Sequence, residues 1–252
     1  MSGGFSVVIP ARWASTRLPG KPLADIGGWP MMRHVWARAM QSGATAVVIA
    51  TDDARIAEAA HGFGADVVMT AADHASGTDR VAEVARAAGW SEDAVIVNVQ
   101  GDEPLIAPDN IRQVAALFDA GPDVAMTTLC EPLDDPAQIA SPHVVKVVTA
   151  ADGRALYFSR APVPHLRDAG ATDGVAIHRR HVGLYGYTHR MLARLAATPP
   201  CALERLEGLE QLRALWLGAR IQVADAEVTP AAGVDTPQDL ERVRALVPTA
   251  GE

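Results

Sequence analysis

Cysteine, long apolar runs, positive net charge and internal repeats are scarce or missing in this chain, and each absence closes off a class of protein. Its two cysteines, Cys130 and Cys201, lie far apart and in no metal-ligand spacing. Neither a disulfide framework nor a thiolate metal site is expected, and two reduced thiols point to the cytoplasm. No run of about 18 apolar residues is present, and the N-terminal MSGGFSVVIPAR lacks a basic segment followed by a long apolar one. Neither secretion nor a membrane span is therefore expected. The formal charge of −8, from 22 Lys and Arg against 30 Asp and Glu, offers no basic face for a nucleic acid. Cations clustered within such a chain point instead to a small anionic ligand. With no repeats, charge blocks or low-complexity tracts, nothing marks a linker, and residues 1–252 are expected to form one α/β domain.

What is present begins at residues 5–23, FSVVIPARWASTRLPGKPL, where an apolar run stops at Pro10 and opens into a loop holding Arg12, Arg17 and Lys21. A short β-branched run followed by Gly/Pro punctuation reads as a buried strand delivering a loop to a sheet edge, the place where open α/β sheets bind ligands. Three cations among small residues suit a polyanion such as a triphosphate. The loop is not a phosphate-binding P-loop, because that pattern needs Gly where Ser15 stands and Ser or Thr where Pro22 stands.

Along the rest of the chain, continuous apolar strands alternate with amphipathic helices, the mark of a mostly parallel, helix-covered sheet. Helices are expected at 31–41, from Asp53 to about 63, at 109–120 and at 207–216, the last with an apolar stripe of Leu209, Leu212, Leu215 and Trp216. Ser76 to Asp79 fits a capping box, and Gly77 there permits close approach of an anion or a polar ligand edge. The strand at 94–99 delivers Gln100-Gly101-Asp102-Glu103, and Asp102 beside a triphosphate loop is a candidate Mg2+ ligand. Asp152-Gly153 between two β-rich runs signals a two-residue hairpin, hence an antiparallel section. Residues 160–180 read as a long loop, and a strand-like run at 182–188 is preceded by His178, Arg179, Arg180 and His181, four groups able to hold a carboxylate. Thr236, Pro237 and Asp239 account for the start of the last helix. Asp235 is left over and becomes the candidate metal partner of Asp102.

Taken in order, the blocks VVIPARWASTRLPGKPL, ATDD, SGTDR, VNVQGDEPLI, YFSRAPVP, HVGLYGY, LEGLEQLRALW and VDTPQDLERVR span residues 5 to 246. Together they resemble the 3-deoxy-manno-octulosonate (Kdo) cytidylyltransferases. The resemblance implies a Rossmann-like nucleotidyltransferase fold and a cytoplasmic homodimer. It also implies a subregion at about 130–220 for sugar binding and dimerisation, and activation of Kdo by CTP for lipopolysaccharide biosynthesis. Carried over residue by residue, it implies that Ala11, Arg12, Arg17 and Lys21 hold the CTP backbone and phosphates. Ser76, Gly77, Thr78 and Arg80 would recognise the cytosine and neighbouring groups, with Gln100 and Asp102 at the join between nucleotide and sugar. Arg160, His181, Tyr185, Glu210 and Gln211 would bind the sugar acid, and Asp102 and Asp235 would ligate Mg2+. Arg12, Lys21, Asp102 and Asp235 form the implied catalytic set. Trp13, where many relatives have Tyr or Leu, and Thr188-His189, where a basic residue often comes first, depart from the pattern. A cytidylyltransferase for another sugar acid, such as an 8-amino Kdo analogue, and a non-catalytic nucleotide or sugar-acid sensor stay open as alternatives.

Overall fold

The computed structural model describes residues 4–14, 18–74, 76–167 and 177–247. The triphosphate contact expected of Arg17 lies outside them.

In chain order the elements begin with β1 (Phe5–Ala11), a 3-10 turn (Lys21–Leu23), a small hairpin of β2 (Asp25–Ile26) and β3 (Trp29–Pro30), and α1 (Met31–Met40). Next come β4 (Ala46–Thr51), α2 (Ala54–Gly62), β5 (Asp66–Met69), α3 (Gly77–Ala87), β6 (Val95–Asn98) and α4 (Pro108–Ala116), which tightens into a 3-10 turn (Leu117–Ala120). The second half runs through β7 (Val124–Leu133), α5 (Pro136–Ala140), β8 (Lys146–Thr149), β9 (Ala155–Ser159) and β10 (His178–Thr188). It ends with α6 (His189–Ala196), α7 (Ala202–Glu207), α8 (Gln211–Trp216), β11 (Arg220–Asp225) and α9 (Pro237–Arg244).

The main sheet has the order β11-β7-β10-β6-β1-β4-β5, with β8 attached to β10 and β9 to β8. Strands β5, β4, β1 and β6 are parallel, β10 runs antiparallel to β6 and β7, and β11 is parallel to β7. This is the mostly parallel sheet with an antiparallel extension that the sequence pattern predicts. The chain leaves β1 toward β4 and β5, then returns to its other side as β6, so a topological switch point lies between β1 and β6.

Alternation along the strands divides the interior into two layers. Val7 and Ile9 of β1 pack with Met32, Val35, Ile56, Ile111 and Val114 on one face, while Val8 packs with Val81, Val84, Ile96, Tyr187 and Leu192 on the other. Each such side chain, once buried, contributes roughly 1.5–3 kcal/mol relative to exposure. A third cluster of Ile26, Met31, Val234, Leu240 and Val243 seats α9 against the β2–β3 hairpin, bringing the chain's end back to its beginning.

Four expectations need correction. The helix expected at 207–216 is two helices, because Gly208 takes the left-handed conformation (φ 61°) that ends α7 and α8 starts only at Gln211. Trp216, read as part of the buried stripe, is 61% exposed, whereas Leu209 and Leu212 are buried. The β8–β9 connection is longer than two residues: Ala150 N–H bonds Arg154 O at 2.8 Å around Gly153 (φ 78°), and the register shifts after Val148. The quartet 178–181 lies in β10, not in a loop, and its cations already have partners. Arg179 pairs with Asp225, Arg180 with its cross-strand neighbour Glu131, and His178 with Pro164 O at 3.0 Å. The sequence reading also passed over α6, whose buried Met191, Leu192 and Leu195 follow a Thr188 cap that accepts Met191 N–H at 3.2 Å.

Lys146 is the one lysine among the described residues with no solvent exposure. Its ammonium donates to Ser141 O (3.0 Å), Val144 O (2.6 Å) and Arg160 O (2.6 Å), tying the loop before β8 to the exit of β9. Burial pulls its pKa down, yet three carbonyl acceptors favour the charged form. Lys146→Met keeps the volume and strands those carbonyls, so urea unfolding should show a loss of about 3 kcal/mol. An unchanged midpoint would mean that the carbonyls find other donors.

Candidate active site

Strands β1 and β6 run in register from Phe5↔Val95 to Val8↔Asn98, then diverge. Pro10-Ala11-Arg12 and Gln100-Gly101-Asp102 form the two lips of a cavity of about 390 Å3, which Lys21 and Asp235 also line. A side extension of about 90 Å3 shares Ala11, Arg12 and Gln100 and is closed by His74, Ser76, Gly77 and Arg80. The lips stand so close that a Cβ on Gly101 would lie 2.9 Å from Pro10 O. Trp13 packs its ring against Gly20 (φ 68°), whose N–H bonds Trp13 O at 3.2 Å, and carries the Arg55 guanidinium 3.4 Å above it. Arg55 in turn holds Asp53, the α2 cap, and draws its carboxyl down to about 2. The Trp13 departure therefore ties the first loop to α2.

The floor is set by Lys21. Its ammonium donates to Asp102 Oδ2 at 2.6 Å, Val234 O at 2.9 Å and Asp235 Oδ1 at 3.3 Å. Asp235 is placed by the expected capping box: Thr236 and Asp239 satisfy each other's donors, and Asp239 Oδ2 also accepts Asp235 N–H at 3.1 Å. Val234 N–H bonds Asp102 O at 2.8 Å, which locks the β6 exit to the approach of α9. Two carboxylates from distant segments thus converge on one cation. Among the described residues no group of three or more His, Cys, Asp or Glu could hold a metal. Two carboxylates completed by phosphate oxygens are nonetheless the donor set that Mg2+ takes in phosphate sites. The residues present fit that ion.

At the start of α3 the Ser76–Asp79 capping box forms as expected, with Gly77 facing Pro10 across the side cavity. Arg80 is buried and its guanidinium is held by Asp52 at 3.2 Å and by Thr70 Oγ1, so it backs this cavity as a fixed wall. Thr78, for which recognition of the cytosine and neighbouring groups is implied, donates its hydroxyl to Glu210 Oε1 and does not line the side cavity.

The sugar-side candidates divide. His181 and Tyr185 lie tilted against each other with ring centroids 5.2 Å apart, Tyr185 neighbours Tyr187 at 5.9 Å, and Glu210 is hydrogen-bonded by Thr78. Burial pushes His181 down to about 3, reinforced by Arg180, so the ring is neutral and bonds Thr128 Oγ1 at 3.0 Å. It acts as a hydrogen-bonding group, not as a cation for a carboxylate. Gln211 is buried with Nε2 unpartnered among the described residues, as is Oδ1 of buried Asn98, which pairs across the sheet with Tyr185. Such orphaned groups suit a polyhydroxylated ligand. Among the described residues, no contact given for Arg160 brings it to this cluster. Its guanidinium donates to Glu207 O (2.6 Å), Pro142 O (2.8 Å) and Gly208 O (3.4 Å), fastening the end of α7. Thr188 and His189 start α6, with His189 Nδ1 on Trp90 O at 2.8 Å.

The cytidylyltransferase family profile matches residues 6–221. A 3-deoxy-manno-octulosonate cytidylyltransferase of Pseudomonas syringae pv. syringae is 55% identical over 98% of this chain and 99% of its own. One of Pseudomonas fluorescens is likewise 55% identical with the same coverage. The chain belongs to the 3-deoxy-manno-octulosonate cytidylyltransferase family. A solved CMP:2-keto-3-deoxy-manno-octonic acid synthetase complexed with CTP superposes with a TM-score of 0.90 at 41% identity, covering 97% of this chain and 98% of that one. A cytidylyltransferase of Leptospira borgpetersenii (TM-score 0.60, 18% identity, 96% of this chain and 86% of that one) shares the fold.

Two charged residues stand next to candidate site residues, and the sequence reading gave them no role. Arg213, inside the LEQLR block, is buried and bonds Leu195 O (3.0 Å), Thr198 O (2.6 Å) and Glu204, and reaches Glu210 at 3.5 Å. A lone arginine next to an apolar stripe was the available signal. Glu103 follows Asp102, and burial together with that neighbouring charge pushes it up to about 7. Adding a methyl group to the tightest point of the site should separate the lips: Gly101→Ala is expected to lower kcat/KM for CTP at least about tenfold. The fold should survive, by circular dichroism. Wild-type turnover would show that the strand ends yield freely.

Proposed function

We propose that the protein is a Mg2+-dependent cytidylyltransferase that activates 3-deoxy-D-manno-octulosonate with CTP, releasing pyrophosphate and CMP-Kdo for lipopolysaccharide assembly. The observation that carries this reading is the convergence of Lys21, Asp102 and Asp235 beneath a cavity at the β1/β6 switch point. The family assignment and the CTP complex of the 41%-identical structure support it. The triphosphate lies along Arg12 and Lys21, with the base in the side cavity. The sugar acid is bounded by Tyr185, His181, Gln211 and the Thr78–Glu210 pair.

The 2-hydroxyl oxygen of the sugar attacks the α-phosphorus; that bond forms as the bond from the α-phosphorus to the bridging oxygen breaks, and the hydroxyl proton is lost to solvent. Such a displacement needs alignment and charge neutralisation more than covalent help from the protein. Arg12 and Lys21 offset the charge that gathers on pyrophosphate, and Gln100 stands at the join of the two substrates. Mg2+ held by Asp102 and Asp235 would supply Lewis-acid polarisation of the phosphate. Lys21, which holds both carboxylates and also lines the cavity, would face that ion and the phosphates from the same floor.

A homodimer in the cytoplasm completes the proposal. Leu156, Leu203, Leu206 and Trp216 are 54%, 38%, 83% and 61% exposed, and all lie in the 130–220 subregion. Exposed apolar side chains such as these are what a subunit contact covers; Trp29, Met40, Met69, Val228 and Leu246 lie exposed elsewhere.

Pyrophosphate release with CTP, Mg2+ and a panel of sugar acids tests the assignment, with 8-amino Kdo as the sharpest competitor. No release with any acid would refute catalysis. Asp102→Asn and Asp235→Asn should each remove most activity while leaving the fold intact and shift the Mg2+ titration to higher concentration; near-normal turnover in either would overturn the metal assignment. Lys21→Ala should raise the KM for CTP, or lower kcat, with little change in the KM for Kdo. The reverse pattern would move Lys21 out of the triphosphate site.

A further inference from the structure

Strand β6 ends on a residue that packing alone does not explain. Val97 belongs to the layer beneath α1 and α4, and Ile96 to the layer that holds Tyr187, Leu209 and Leu212. Asn98 alternates back to the side of Ile96, yet it buries a carboxamide there at 1% exposure. Its Oδ1 is closed off and has no hydrogen-bond partner among the described residues. Asparagine is a poor strand former, and an apolar side chain at this place would avoid the cost of an unpaired amide. Buried polar groups without partners are rare enough that each needs a reason.

The surroundings supply one. Asn98 stands directly opposite Tyr185 in the β10–β6 ladder, so the two side chains lie side by side on one face of the sheet. Tyr185 lies against His181, and Gln211, whose Nε2 is also buried and unpartnered, precedes Leu212 of the same layer. Two residues beyond Asn98, Gln100 lines both cavities. We infer that Asn98 is a specificity residue of the sugar side, whose amide hydrogen-bonds a ring hydroxyl of the sugar acid. This rests on the sugar site proposed above and adds a residue to it. A hydroxyl is the group of a sugar acid that can serve either end of an amide, donating to Oδ1 or accepting from Nδ2. An analogue lacking that hydroxyl leaves the buried amide unpaired again, which is how such a site rejects it.

The experiment compares wild type with Asn98→Leu, which keeps the branched outline and removes both polar ends, and with Asn98→Ala, which removes them with less bulk. Pyrophosphate release is measured with Kdo and with analogues that each lack one ring hydroxyl, alongside calorimetric affinity for CTP and thermal unfolding. Both variants should raise the KM for Kdo at least about tenfold and keep the affinity for CTP within about twofold. The unfolding midpoint of Asn98→Leu should be no lower than that of wild type, because no amide is left unpaired. Wild type should discriminate against one of the deoxy analogues, and both variants should lose at least about tenfold of that discrimination. Weaker binding of CTP and Kdo together, with a lower midpoint, would make Asn98 a structural residue and overturn the inference. An unchanged KM for Kdo in Asn98→Ala would overturn it whether or not Asn98→Leu folds, and is also the result expected if the amide holds only a buried water. If wild type releases pyrophosphate with Kdo and the variants match it, the role of Asn98 alone fails; if wild type releases none with any sugar acid, the proposed activity fails and this role with it.

Discussion

The site depends on one ammonium group. Lys21 belongs to the first loop, Asp102 to the end of β6 and Asp235 to the approach of the last helix, and no covalent feature holds these segments together. Two carboxylates that meet in a half-buried cleft repel one another unless a cation lies between them. In this protein the cation comes from the chain itself, with Val234 O as its third acceptor. The apolar cluster of Ile26, Met31, Val234, Leu240 and Val243 carries the weight of bringing α9 home. The lysine then fixes where the two acids stop. A site arranged in this way has its charges in place before any substrate arrives, and electrostatic preorganisation of that kind lowers the reorganisation a reaction must undergo.

The parts of this arrangement that were legible in sequence are those governed by local rules. The apolar runs of β1, β4 and β6, the caps at Ser76 and Thr236, and the surplus acid at Asp235 each follow from periodicity or from an accounting of backbone donors, and the structure has them where expected. Other features depend on who sits across the sheet. Arg179 and Arg180 read as free cations until β10 is laid beside β7 and β11, where Glu131 and Asp225 neutralise them. Trp216 continues the apolar stripe of Leu209 and Leu212, but it is the last residue of the short α8 and its indole lies outside the core. Arg160 has the charge expected of a carboxylate binder, yet three backbone carbonyls converge on it once α7 ends nearby. A one-dimensional reading has no access to such long-range pairings.

Burial gives the sugar side a different character from the nucleotide side. Along the proposed phosphate side the protein presents Arg12 and Lys21 against Asp102 and Asp235. On the proposed sugar side, His181 is neutral, Tyr185 and Tyr187 hold their protons far above the usual range, and Gln211 and Asn98 contribute uncharged amides. The charge that remains, Glu210, is hydrogen-bonded by Thr78 and faced by Arg213. Discrimination among polyols rests on hydrogen bonds of fixed direction, and a buried donor or acceptor left without its partner costs about 1–3 kcal/mol. A neutral, desolvated set of amides and phenols penalises a wrong hydroxyl pattern more sharply than a solvated charge would.

These two halves meet in the first turn of α3. Ser76 and Gly77 face the side cavity with their cap and small side chain, while Thr78, the next residue, turns through the helix to the opposite side and bonds Glu210. Successive helical residues differ by about 100° in direction, so a three-residue stretch can serve two ligands without any change in backbone. Arg80 pins the same turn to Asp52 at the end of β4, and Arg213 pins Glu210 to α6 and α7. An in-line displacement tolerates little error in the angle between attacking and leaving oxygens. In the proposed arrangement both substrates meet one short, doubly anchored segment, and that angle becomes a property of the fold.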